Sequence, residues 1–246
     1  MDHRTRDRRR MGLATTAAVA LLAVLALFPA AAAADTTTLT LIAAPSVIPY
    51  NGVSVLTGTL MNTTMITALG GEPILVERAP AATGPWTTLV VITTLNGVPE
   101  YYTGTYTLMV MPRDKTYYRM QFQGTPGLDA AVSAAASVTP KVYLSRPSVP
   151  RTVRHGQRFR VTCYIQPKHA KGLRTVVRIR FYRYTAGKWV FKYGRWATTS
   201  NFLNFTKLTL KTSIKRTGSW RVQAYARPDA LHAATNSSFS RVIRVR

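Results

Sequence analysis

From Thr37 onward, short runs rich in Val, Ile, Thr, Tyr and Trp recur, each closed by Gly, Pro, Asn, Asp or Ser within about ten residues. None of them carries the three-to-four-residue apolar spacing of an amphipathic helix. That pattern dictates many short antiparallel strands. They are expected near Thr37 to Ile42, Val53 to Met61, Pro73 to Arg78, Trp86 to Thr93, Thr105 to Met111, Tyr117 to Phe122 and Val132 to Val138. A second set is expected near Lys141 to Leu144, Gln157 to Ile165, Thr175 to Tyr184, Lys188 to Ala197, Phe205 to Thr212, Gly218 to Tyr225 and Phe239 to Val245. Seven strands in each half predict two β-sandwiches, because two facing sheets bury one side of each alternating strand.

The two halves repeat one pattern. Pro45-Ser46-Val47 and Pro147-Ser148-Val149 each follow the first strand, and Gly52 and Gly156 each mark the turn into the next. A Gly-x-Trp turn stands at Gly84 to Trp86 and again at Gly187 to Trp189. Tyr118-Arg119-Met120-Gln121-Phe122 parallels Trp220-Arg221-Val222-Gln223-Ala224. Residues 35–140 and 141–246 are therefore expected to be tandem modules, joined at Thr139 to Lys141 by a linker too short to let them tumble freely.

The first 34 residues read as a signal peptide. Arg4, Arg6 and Arg8 to Arg10 precede an apolar run from Ala17 to Phe28, and Ala30 to Ala34 offer small-residue cleavage choices before Asp35. Arg8-Arg9-Arg10-Met11 also loosely matches a twin-arginine export signal. An uncleaved anchor is the rival, since the 24 residues from Met11 to Ala34 are long enough to span a bilayer. Either way the chain is expected to be secreted or associated with the cell envelope.

Charge separates the halves more sharply than any motif. Residues 35–140 carry four basic and six acidic residues, whereas residues 141–246 carry 24 basic residues against the single acid Asp229. The overall +24 is thus the property of one module. A lone cysteine, Cys163, leaves no intramolecular disulfide to make, so each core must hold itself by burial. Its register with Phe159, Val161 and Ile165 predicts an inward, inert thiol.

The first module resembles a bacterial immunoglobulin-like domain through Gly58-Thr59-Leu60 and Tyr117-Tyr118-Arg119. The second resembles the C-terminal Ig-like domains of secreted actinobacterial proteins through Arg180-Phe181-Tyr182-Arg183-Tyr184, Gly187-Lys188-Trp189 and Ser219 to Tyr225. One departure is Cys163-Tyr164-Ile165, where such domains often carry Gly-Thr-Leu. The resemblance implies an all-β fold of two tandem Ig-like sandwiches and an extracellular setting, with little chemistry attached.

Catalytic groups are scarce. The histidines after the leader, His155, His169 and His232, all lie in the basic module, and only Asp229 and His232 sit close to each other. That pair is expected to form an Asx-type turn with a neighbouring loop histidine, and no nucleophile motif accompanies it. No metal-ligand spacing, glycine-rich phosphate loop or Gly-x-Ser-x-Gly elbow is present, so neither an enzymatic role, a metal nor a cofactor is expected.

Strand alternation says where the basic charges point. Val177, Ile179 and Phe181 take the core side, which turns Arg178, Arg180 and Tyr182 outward; Trp220, Val222 and Ala224 likewise turn Arg221 and Tyr225 outward, and Ile243 and Val245 turn Arg244 outward. These three strands share a sheet in an Ig-like topology, and its outer face is the candidate polyanion-binding site. Arg158, Arg160, Lys207 and Lys211 are expected on the opposite sheet. The expected partner is an anionic cell-wall or extracellular polymer, with nucleic acid bound only non-specifically and membrane contact only through an uncleaved leader. The alternative is a carbohydrate-binding or adhesion module in which Tyr182 and Tyr225 stack on sugar rings. Trp86, Trp189 and Trp220 each follow a turn closely and are expected to cap the cores.

Overall fold

A computed structural model describes residues 33–97, 103–168 and 177–246. Residues 1–32 of the expected leader and His169 lie outside the described residues. Among the described residues no helix is long and apolar enough to cross a membrane, and every regular element is a strand. The first sandwich comprises β1 (Thr37–Leu39), β2 (Ile42–Ala44), β3 (Val47–Ile48), β4 (Ser54–Asn62), β5 (Thr67–Ala68), β6 (Pro73–Ala79), β7 (Thr87–Thr93), β8 (Thr105–Val110), β9 (Thr116–Phe122), β10 (Ala131–Val132) and β11 (Ala136–Pro140). The second comprises β12 (Tyr143–Leu144), β13 (Thr152–Val153), β14 (Arg158–Gln166), β15 (Val177–Thr185), β16 (Lys188–Trp196), β17 (Thr198–Asn201), β18 (Thr206–Ser213), β19 (Gly218–Ala226), β20 (Thr235–Asn236) and β21 (Ile243–Val245).

The two sandwiches share one topology. One sheet runs β3-β11-β9-β6-β7 in the first and β13-β21-β19-β15-β16 in the second, and the facing sheet is built on β4 with β8 or β14 with β18. In both, a short early strand lies parallel to the last one, β3 beside β11 and β13 beside β21. A chain that starts in one sheet and crosses to pair with the final strand of the other is the immunoglobulin-like arrangement, so the fold is two tandem Ig-like β-sandwiches.

Period-two burial explains both cores. Leu56, Leu60, Ile74, Val76, Met120 and Phe122 fill the first, and Val161, Ile165, Ile179, Phe181, Trp220 and Val222 the second. Each fully buried large apolar side chain contributes about 1.5–3 kcal/mol. The departure at Cys163 has a packing cause. Gly58 lies opposite Tyr106, and a Cβ there would run into the Tyr106 hydroxyl and the Thr40 carbonyl that accepts its hydrogen bond. Cys163 lies opposite Leu208 instead, which leaves room for a side chain. Burial pushes the Cys163 thiol up to about 12. The folded chain should therefore resist iodoacetamide at pH 8 and react only after unfolding, as mass spectrometry of the quenched reaction would report; fast labelling of folded protein would place the thiol elsewhere.

Three expected strands break where a side chain intrudes on the ladder. The Thr59 amide donates to the Thr40 hydroxyl at 2.9 Å, which divides the run from Thr37 to Ile42 into β1 and β2. Ser133 brackets Met120, its amide donating to the Met120 carbonyl and its hydroxyl accepting from the Met120 amide, both at 2.9 Å; this separates β10 from β11. Ser240 brackets Val222 in the same way and delays β21 to Ile243. The short strands β3, β5, β10, β13, β17 and β20 have no sequence signal beyond two to four residues. The Pro-Ser-Val triplets are not structural counterparts: Val47 pairs with β11, whereas Ser148 bridges Thr162 of β14, and Thr152 takes the place beside the last strand.

The sandwiches meet through backbone hydrogen bonds. The Ala233 amide donates to the Pro140 carbonyl at 2.9 Å and the Lys115 amide to the Leu231 carbonyl at 2.8 Å. The Tyr50 and Tyr143 rings approach to 6.3 Å.

Candidate functional site

The outer face of the β15, β16 and β19 sheet carries arginines and aromatics in alternation. Val177, Ile179 and Phe181 are buried, so Arg178, Arg180 and Tyr182 of β15 project outward, and buried Val222 and Ala224 turn Arg221, Gln223 and Tyr225 of β19 outward beside them. Register sets the neighbours: Arg178 faces Tyr225 and Trp196, and Tyr182 faces Arg221 and Phe191. The Arg180 guanidinium then lies 3.6 Å from the Tyr225 ring centre, and that of Arg221 lies 3.5 Å from Phe239 and 4.5 Å from Trp189. Trp196 holds Arg178 at 5.9 Å and Arg227 at 4.8 Å. Tyr182 stands edge-on to Phe191 and Phe239.

Each such stack is worth about 0.5–1 kcal/mol at an exposed site and about 2 kcal/mol when dry. The greater effect is geometric, because stacking fixes guanidinium planes that would otherwise sample many rotamers. Gly194 serves the same end, since Arg178 lies across it where a Cβ would collide. The Nε groups of Arg178 and Arg221 are buried without a hydrogen-bond partner. Burial draws the Arg221 pKa below its usual value, partly offset by Tyr182, and arginine starts so high that it stays charged at neutral pH.

The first sandwich carries a related arginine with a counter-ion. There Arg119 lies 4.5 Å from the Trp86 ring centre, as Arg221 does from Trp189, but its Nε also donates to Glu77 at 2.6 Å. Glu77 faces Arg119 where Tyr182 faces Arg221. The second sandwich keeps the stack and omits the counter-ion. Among the described residues no lysine or arginine of the second sandwich pairs with a carboxylate.

Arg244 is exposed on β21, opposite Ser219, on the same sheet but outside the stacks. On the other sheet Arg160 faces Lys211, with Arg158 and Lys207 along the same strands. Of the three tryptophans expected to cap cores, Trp220 does so at 2 % exposure. Trp86 and Trp189 do not: the hairpin register sets Trp189 opposite outward Tyr184, and each ring lies under an arginine. Tyr225 and Tyr182 are half-buried, with one face of Tyr225 covered by Arg180. Sequence alternation found the arginines; the roles of Trp189, Trp196 and Phe239 required the register.

Asp229 forms the expected turn, its Oδ1 accepting from the Leu231 and His232 amides at 2.8 and 2.7 Å. Burial raises the Asp229 pKa, yet those bonds and the nearby imidazole outweigh it and hold the carboxyl below its ordinary value. His232 is buried between Asp229 at 3.2 Å and Asp114 of the first sandwich at 3.5 Å. Among the described residues no three His, Cys, Asp or Glu side chains cluster as metal ligands would.

No protein-family model matches the chain, and no curated protein does. Among solved structures it is similar to an ICAM-5 D1–D4 ectodomain fragment, at 12 % identity and a TM-score of 0.42 over 84 % of this chain. The match spans 53 % of that fragment, about half its length.

Proposed function

We propose that this is a non-catalytic protein of the cell exterior, secreted or held at the envelope, whose basic sandwich contacts an anionic surface polymer while the near-neutral one acts as spacer. The observation that carries the reading is the set of stacked, unneutralised guanidiniums on the outer face of β15 and β19. An ordinary solvated surface interleaves acids, but residues 141–246 contain one. Self-repulsion of this size disfavours the compact state unless counter-ions or an anionic partner offset it. Guanidinium groups also pair bidentately with phosphate or carboxylate, and ordering them beforehand reduces the entropic cost of binding.

The test is binding of the full chain to poly(glycerol phosphate), to DNA and to neutral dextran across a salt series. Affinity for the two polyanions should fall steeply with salt as counter-ions are released. The variant carrying Arg178→Gln, Arg180→Gln, Arg221→Gln and Arg244→Gln should bind poly(glycerol phosphate) roughly tenfold more weakly, with a shallower salt slope. Unchanged binding by that variant would remove this face. Salt-insensitive binding to dextran would favour the neutral-sugar reading through Tyr182 and Tyr225, which the covered Tyr225 face argues against.

A further inference from the structure

Three arginines outside the stacks line one depression. A cavity of about 490 Å³ beside β13 and β21 is lined by Arg146, Pro147, Ser148, Arg151 and Arg241. Its polar lining is three exposed arginines and an exposed serine, and none of these four side chains has a hydrogen-bond, ring or carboxylate partner among the described residues. Every polar side chain on the lining can donate, and no carboxylate lies on it. Like charges gathered in one cavity repel, and the repulsion is relieved by an anion that they share.

The backbone that carries these residues is held from several sides. Ser148 exchanges backbone hydrogen bonds with Thr162 at 2.7 and 3.2 Å, between two prolines, Pro147 and Pro150, that restrict the loop. The Arg151 carbonyl accepts from the Arg244 amide at 2.8 Å. Arg241 follows Ser240, whose hydroxyl donates to the Arg241 carbonyl at 2.7 Å while bracketing Val222.

The first sandwich supplies an internal control, since it builds the same framework without the charges. Its counterpart of the Arg244-to-Arg151 bond joins Thr139 to Ser46 at 2.8 Å, and its bracketing Ser133 donates to Ala134 where Ser240 donates to Arg241. The whole connection from Leu39 to Ile48 contains no charged residue. Folding of this corner therefore does not require arginine.

We infer that this cavity is a seat for a phosphate-type oxyanion, with Arg146, Arg151 and Arg241 as charged donors and the Ser148 hydroxyl as a fourth. The inference rests on the polyanion reading of the same sandwich and gives it a discrete site. The phosphate can come from the polymer chain or from a free phosphorylated molecule, and two probes separate these sources.

The full chain is titrated calorimetrically with pyrophosphate and separately with poly(glycerol phosphate), using wild type, the pocket variant Arg146→Gln, Arg151→Gln and Arg241→Gln, and the face variant described above. Wild type should bind pyrophosphate saturably, one per chain, and stabilise on binding. The pocket variant should bind it at least about tenfold more weakly, a clearly larger loss than the face variant shows. Replacing the same three residues by lysine should restore part of the affinity, because charge returns without the bidentate fork. Loss of polymer affinity in the pocket variant as well would make the polymer the source, whereas loss of pyrophosphate alone would make it a free phosphorylated molecule. Absence of saturable pyrophosphate binding by wild type, or binding that the pocket substitutions leave intact, overturns the seat. If polymer binding then still fails in the face variant, the proposed function stands without this cavity. Unliganded thermal midpoints within a few degrees of wild type exclude misfolding as the cause, and the lysine variant remains the arbiter if the glutamine one unfolds.

Discussion

Trp220→Ala should lower the stability of the second sandwich by about 3–5 kcal/mol, a large part of what a domain of this size possesses. The indole is 2 % exposed, stands between Arg183 of β15 and Ile243 of β21 in the sheet, and lies 6.1 Å from the Tyr193 ring. Its Nε1 also donates to the Arg216 carbonyl at 3.0 Å, so truncation leaves both a void and an unpaired carbonyl. Repulsion among the cations of this sandwich is least screened at low salt, so the variant's remaining stability is smallest there. Urea midpoints followed at two salt concentrations should show the variant's lowest midpoint at the lower one, with a similar loss relative to wild type at both. A loss under about 1 kcal/mol at either would mean that the site collapses around the gap and that Trp220 is no keystone of the core.

Arg119→Ala should cost the first sandwich about 2–3 kcal/mol. Removing one partner of a buried ion pair typically costs about 3–5 kcal/mol, and the lower figure reflects the water that both ends retain, with side-chain exposures of 28 % for Arg119 and 11 % for Glu77. The penalty belongs mostly to the stranded carboxylate, so adding Glu77→Gln to Arg119→Ala should recover about 1 kcal/mol or more. The matching Arg221→Ala in the second sandwich should cost only about 1 kcal/mol, since Tyr182 and not a carboxylate faces it. Equal losses at the two positions would show that the aromatic stack, not the counter-ion, holds both arginines in place.

That contrast marks how far the sequence could be read. Alternation along β15 and β19 is a property of single strands, so the outward turn of Arg178, Arg180, Arg221 and Arg244 was legible at once. Which aromatic lies beside which arginine depends on pairing across β15, β16 and β19, and the irregularity at Phe181 and Tyr182 sets Phe191 and Trp189 on the outer face together. Trp189 and Trp86 each stand beside a turn, which by itself suggests a core cap, and the outward position of Trp189 follows only from its pairing with Tyr184. The serine brackets were hidden for a similar reason: Ser133 and Ser240 cut their strands short through bonds to Met120 and Val222, which are distant in sequence. The arginine-lined cavity draws on two separate segments, 146–151 and 241, and no window of sequence contains it.

The uneven division of charge has a mechanical side. With nearly all the excess positive charge in residues 141–246, and backbone hydrogen bonds from Ala233 and Lys115 joining the two bodies, the molecule is an electric dipole with a stiffened waist. Near any negatively charged sheet of lipid or glycan, such a body experiences a torque as well as an attraction. The basic end is drawn inward and the near-neutral end is held away, before a single specific contact forms. The couple acts only within about 8 Å at physiological ionic strength, so orientation is imposed at the last moment of approach. An anionic surface would therefore meet the basic end before the near-neutral one.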